Sequence, residues 1–206
     1  MKLFKNRIFA ILLTVVVAVL ATLLGVYRTA NRMTHQVEAM FYDGVYLKNE
    51  GYTQPGIDSH LNNASNAALG FATIAVNYPE LSEKSENLVL ARRELLAVVG
   101  VGDKSAAAVR MWDRFSDIVD AMSNDLPDGD MSGRDMAAMT QYFNTFVGAY
   151  NAISVSVYND KVTEYLDGRS FLARAFGALV SAREPDRFYS PAQTAILFSP
   201  AEPNSP

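Results

Sequence analysis

Cysteine is missing altogether from the 206 residues, and histidine nearly so, with two. Without cysteine there is no disulfide scaffold, no thiolate nucleophile and no cysteine-ligated metal. His35 and His60 stand on separate segments, without the H-x-x-x-H or histidine–carboxylate spacing of a zinc site. A nucleophile elbow, a Walker A loop and a dinucleotide fingerprint are also absent. Asp113 and Asp117 pair at i, i+4, but carboxylates with no histidine or cysteine beside them make poor acid–base catalysts. These absences predict a protein that is not an enzyme and carries no cofactor.

Charge is missing from one long stretch. Ile8 to Val26, IFAILLTVVVAVLATLLGV, holds no ionisable residue. As a helix it is about 28 Å long at ~1.5 Å per residue, close to the ~30 Å hydrocarbon core of a bilayer. A secretory signal has a shorter apolar region, ~7–15 residues, and ends in a small-x-small cleavage site. Here the run is longer and Arg28 lies just ahead of the one tempting cut near Ala30. The stretch therefore reads as a retained signal-anchor. Lys2, Lys5 and Arg7 precede it while Arg28 and Arg32 follow, a bias that puts the N-terminus in the cytoplasm and the body outside. Past Arg32 lie all 22 acidic residues and 13 of the 18 basic ones. That acidity argues against nucleic acid as a partner. The expected organisation is a cytoplasmic tail and anchor over 1–29, a helical domain over 30–189 and a proline-rich tail over 190–206.

No segment sustains the alternation of a half-buried strand, whereas apolar residues recur at three and four throughout the body. The anchor helix is expected to continue to Lys48, where NEGYTQPG breaks it. A second helix, from about Ile57 to Tyr78, carries Ile57, Leu61, Ala64, Ala68, Phe71 and Ala75 on one stripe. A third follows Pro79 and repeats Leu81, Leu88 and Leu95 at seven, a coiled-coil-like seam. The fourth, from about Lys104 to Met122, carries Ala108, Met111, Phe115, Ile118 and Met122. The last is expected to run unbroken from Arg134 to Leu166, with Met136, Met139, Phe143, Phe146, Tyr150, Ile153 and Val157 as its seam. A helix of that length needs packing along most of it. The fold class is therefore all-α, an N-terminal transmembrane helix followed by an elongated antiparallel bundle of long helices.

Within that last helix AYNAISVSVYNDKVTEYL places Tyr-Asn pairs at 150–151 and 158–159. On a continuous helix Tyr150, Tyr158 and Tyr165 share one broad face. Their rings then pack on neighbouring helices, and Asn151 and Asn159 pin register at the edge; the alternative is a ligand-facing role. The loop DGDMSGRD puts Asp128, Asp130 and Ser132 at positions one, three and five of half an EF-hand loop. Position twelve is Met139 where a bidentate Glu belongs, so Ser132 reads as a helix cap and Asp135 as a partner of the helix dipole. The amide-rich SHLNNASNAA either lines a polar groove through Asn63 and Asn66, or Asn62 and Asn66, or faces water. The tail from Ser190 reads as extended, with Ile196, Leu197 and Phe198 against the bundle.

An N-terminal anchor, an acidic helical body and a tandem YN helix together resemble the LemA family of bacterial membrane-associated proteins. The matching stretches are LVLARRELLA with Ala91 and Arg92, YNAISVSVYNDKVTEY with Tyr150, Asn151, Tyr158, Asn159 and Val162, and FLARAFGAL from Phe171. The family commonly closes its YN helix with Phe-Pro, where this chain has Tyr165-Leu166 and then Asp167-Gly168; Gly168 can close it as a C-cap. A basic step expected before the second helix is replaced by QPGIDSHLNN. The resemblance implies long helices in an antiparallel bundle and supplies no reaction. The expected function is a membrane-anchored, non-catalytic interaction or scaffold module at the cell envelope, touching lipid through its anchor and a protein partner or itself through its body. The alternative is an extracytoplasmic ligand-binding sensor acting through a partner.

Overall fold

The computed structural model describes residues 7–126, 131–168 and 183–191. It is all-α, with one small hairpin. The elements are α1 (Arg7–Asp43), β1 (Val45–Leu47), β2 (Tyr52–Gln54), α2 (Ile57–Ala75), α3 (Pro79–Ala97), α4 (Val101–Asn124), α5 (Gly133–Ser154) and α6 (Tyr158–Gly168). They form two compact units, residues 1–39 with 160–185 and residues 40–159 with 186–206.

In the first unit α1 is long and apolar enough to cross a membrane, and none of its most apolar window is buried. Ile11, Leu12, Val15, Val17 and Leu20 are all exposed, a continuous apolar surface. The two hydroxyls within the uncharged stretch Ile8–Val26 are closed internally: Thr14 donates to the Ala10 carbonyl and Thr22 to that of Ala18, each at 2.9 Å. That is how a polar side chain is tolerated in hydrocarbon, where no water completes its bonding. Further along, Thr34 is buried and donates to the Arg183 carbonyl at 2.8 Å, and the Arg183 guanidinium meets Glu38 at 2.9 Å. Tyr165 donates to the Ala30 carbonyl at 3.4 Å.

The second unit is built on α2–α5. Every residue of the α2 stripe is buried, as are Leu81, Leu88 and Leu95 of α3 and Ala108, Met111, Phe115 and Ile118 of α4. Three residues join α2 to α3 and three join α3 to α4, connections that force antiparallel neighbours. Pro79 opens α3, where its missing N–H costs nothing. Phe115 stacks on Phe146 at 3.8 Å and 7°, and Trp112 meets the Tyr150 ring edge-on at 4.8 Å. Aromatic area thus ties α4 to α5.

The anchor helix stops at Asp43, five residues short of the expected end. Gly44 takes φ 91, and a Cβ there would lie 2.2 Å from the Gln54 carbonyl oxygen. Val45–Leu47 then pairs antiparallel with Tyr52–Gln54 through a turn whose Gly51 is also at positive φ, conformations that only glycine adopts without strain. The β-favouring Val-Tyr-Leu and Tyr-Thr runs, bracketed by glycines, were the available signal.

The expected unbroken helix over 134–166 is two helices, α5 and α6, parted at Val155–Val157. Gln54 makes the break: its Oε1 accepts the Val157 N–H at 3.0 Å and its Nε2 donates to the Val155 carbonyl at 3.3 Å. Ser156 Oγ accepts the Tyr158 N–H at 3.3 Å. The run Ile153-Ser-Val-Ser-Val157 is poor helix material, since β-branched residues lose rotamers there and serine competes for backbone bonds. Consequently Tyr150, Tyr158 and Tyr165 do not share a helix face. Of the expected seam, Met139, Phe146, Tyr150 and Ile153 are buried, while Met136 and Phe143 are exposed.

Candidate functional site

The two YN pairs do different jobs. Tyr150 is buried and donates to the Ala108 carbonyl of α4 at 2.7 Å. Burial first, and the Asp113 carboxylate second, push its phenol far above the usual range, so it is a permanent donor. Asn151 beside it is exposed and pins nothing.

The second pair, freed by the break, turns to a segment without helix or strand, 186–190. Tyr158 is buried and donates to the Asp186 carbonyl at 2.8 Å. Asn159 accepts the Phe188 N–H at 3.0 Å through Oδ1 and donates to the Phe188 carbonyl at 2.6 Å through Nδ2. Ser105 of α4, buried, repeats the pattern one residue on, accepting the Tyr189 N–H and meeting its carbonyl, each at 3.1 Å. Phe188 is itself buried, its ring 5.6 Å from Phe41, which meets Tyr158 edge-on at 5.7 Å. Side chains here play the part of a neighbouring strand.

The other motif residues are placed as follows. Ala91 is buried on α3, and Arg92 donates from Nε to the Ser65 carbonyl of α2 at 2.9 Å. Val162 is buried in the first unit. Ser132 caps α5, accepting the Asp135 N–H at 3.1 Å, and Asp135 accepts the Tyr78 hydroxyl at 2.7 Å. That bond is the largest cause of the raised Tyr78 pKa. Asp128 and Asp130, the stretch from Phe171 to Leu179, and the tail with Ile196, Leu197 and Phe198 lie outside the described residues. Among the described residues no three His, Asp or Glu side chains converge.

One open groove of the second unit, of about 470 Å³, lies between α2 and α5. From α2 it takes His60, Asn63 and Asn66, at the three-residue spacing that shares a helix face. From α5 it takes Gln141, Tyr142 and Thr145. Its floor is made of small residues, Ala67 on α2 and Gly148, Ala149 and Ala152 on α5. A Cβ added at Gly148 would meet nothing within 4 Å, so open space stands over it. Burial holds the His60 pKa below its ordinary value of 6.5. Asn63 and Asn66 are thus the groove-lining pair of the amide-rich stretch; Asn62 instead donates to Asp58 at 3.1 Å. Their α5 partners went unrecognised, although Gln141, Thr145, Gly148 and Ala152 form a polar-to-small stripe at helical spacing.

Fold and site define an all-α protein, with one helix among the described residues long and apolar enough to cross a membrane and a helical bundle carrying a groove lined by uncharged side chains. A scan against protein-family models and searches of the curated proteins and of the solved structures find no match to this chain.

Proposed function

We propose that the chain is a single-pass membrane protein whose helical body is a non-catalytic interaction module of LemA-like type at the cell envelope. The observation that carries this is the exposed apolar face of α1, where Thr14 and Thr22 close their hydroxyls on carbonyls of the same helix, a surface suited to lipid. The basic flank ahead of the span favours an N-terminus in the cytoplasm and the acidic body outside. The second reading, an extracytoplasmic ligand-binding domain acting through a partner, is favoured by the α2–α5 groove.

Topology tests the proposal. The chain has no cysteine, so Asn87→Cys, at an exposed position of α3, reports its location alone. A membrane-impermeant maleimide should label it in intact cells, and the protein should sediment with membranes. Protection until lysis, or recovery in the soluble fraction, overturns the assignment.

A further inference from the structure

The outward face of α3 has the same make-up read from either end. The sides of the helix that meet the bundle are occupied: Arg92 donates to the Ser65 carbonyl of α2, Glu94 pairs with Arg110 of α4 at 2.7 Å, and Lys84 pairs with Asp125 at 3.5 Å. On the outer side Glu86 and Arg93 are exposed, and Leu90 between them is 58% exposed. These three and Val89 form one wall of a groove of about 400 Å³, whose other wall includes Thr73 and Val76 of α2. Val76 is exposed as well, so apolar side chains of both helices are open here.

Exposed charges are ordinary; their order here is not. Glu86 and Arg93 are seven residues apart, which sets them within about 20° of each other round the helix and about 10 Å apart along it. That is too far for the three- or four-residue pairing that closes ions on one helix. Val89 and Leu90 stand at the midpoint, and Ser82 and Ala97 lie four residues beyond each charge. The face therefore runs small, charged, apolar, apolar, charged, small, with the two charges opposite in sign.

One occupant matches that order from both ends: the same face turned round. With α3 antiparallel to a copy of itself about a two-fold axis between Val89 and Leu90, Glu86 of each chain meets Arg93 of the other. The two Leu90 side chains meet at the axis, and Ser82 meets Ala97 at the edges, where small residues let the helices approach. A parallel pairing would oppose like charges, and a lipid tail would bury both ions without partners. An unrelated helix gives no reason for the order to repeat in reverse.

We infer that the outward face of α3 binds a second copy of this chain, antiparallel and two-fold symmetric. This names the partner of the interaction-module reading and rests on it for its setting. Self-association is measured on purified protein and topology in cells, so either fails without the other. The contact is small, so the dimer is reversible and its population rises with concentration.

The test uses the full chain in detergent micelles. Leu90→Cys, then the single cysteine, should give a disulfide-linked dimer on oxidation. Asn87→Cys, about 110° round from the face, should not. In the Leu90→Cys background, Glu86→Arg and Arg93→Glu should each slow cross-linking about tenfold or more, because each opposes like charges at both contacts. The two reversals together should restore the parent rate, which no effect on folding would do. Helix content should be unchanged throughout, since both positions are exposed. A monomer at every concentration, cross-linking at Asn87 as fast as at Leu90, or a dimer indifferent to the single reversals (the anchor helices pairing alone) overturns the inference, as does a double reversal that restores nothing.

Discussion

Asn159 bonds to both polar groups of Phe188, accepting its N–H at 3.0 Å and donating to its carbonyl at 2.6 Å. An antiparallel strand pair makes the same exchange with two backbones. Here one side chain does it, with Ser105 repeating the exchange at Tyr189. The result is a segment without helix or strand, seated by side chains and with its Phe188 ring buried against Phe41.

Removing that amide should release the segment. Asn159→Ala deletes two bonds to a half-buried backbone, a loss of about 1–3 kcal/mol. Asn159→Asp keeps the acceptor but sets a carboxylate oxygen against the Phe188 carbonyl, and should do no better. Hydrogen exchange checks this directly: the Phe188 and Tyr189 amides should lose protection while α2 and α3 keep theirs. Unchanged protection at Phe188 would mean that Asn159 is not what holds it.

Gly44→Ala should destabilise although alanine is the better helix former. The residue stands at φ 91, and the new Cβ would fall 2.2 Å from the Gln54 carbonyl oxygen. Strain at positive φ costs on the order of 1–3 kcal/mol, and the obstruction is backbone that cannot rotate away. The hairpin must shift, and with it Gln54, so the bonds at Val155 and Val157 weaken too. A melting temperature equal to that of the parent would refute this account.

The helices were legible where local pattern decides the outcome. Ile57, Leu61, Ala64, Ala68, Phe71 and Ala75 repeat at three and four, and all six are buried. The break at Val155–Val157 was not legible, because Gln54 supplies the bonds from a hairpin a hundred positions away in the sequence. Weak helix propensity through Ser154 and Ser156 hinted at it; tertiary contact fixed it. The groove was half visible. Asn63 and Asn66 announce a polar face, but nothing local to α2 says that Gln141 and Thr145 stand opposite.

Acid should loosen the fold through His60. Burial lowers its folded-state pKa below 6.5, so the unfolded chain binds the proton more readily. The stability contributed by neutral His60 is complete above the unfolded value and declines as pH falls from 6.5 towards the lower folded value. His60→Gln, which cannot titrate, should flatten the melting-temperature profile across that window. The variant and parent should then converge in slope above pH 7. A profile equally steep below 6.5 in both proteins would assign the acid sensitivity to carboxylates instead.

Burial should outweigh hydrogen bonding at the α4–α5 contact. Tyr150→Phe removes the bond to the Ala108 carbonyl but keeps the ring against Trp112 and Phe146. Ala108 lies inside α4, so its carbonyl retains an intrahelical donor, and the loss should stay near ~1 kcal/mol. Phe146→Ala empties a fully buried site that stacks on Phe115 at 3.8 Å, for which about 3–5 kcal/mol is expected. Chemical denaturation of the two variants decides between them. If Tyr150→Phe proves the costlier, the hydroxyl bond rather than aromatic area is what fixes α5 on α4.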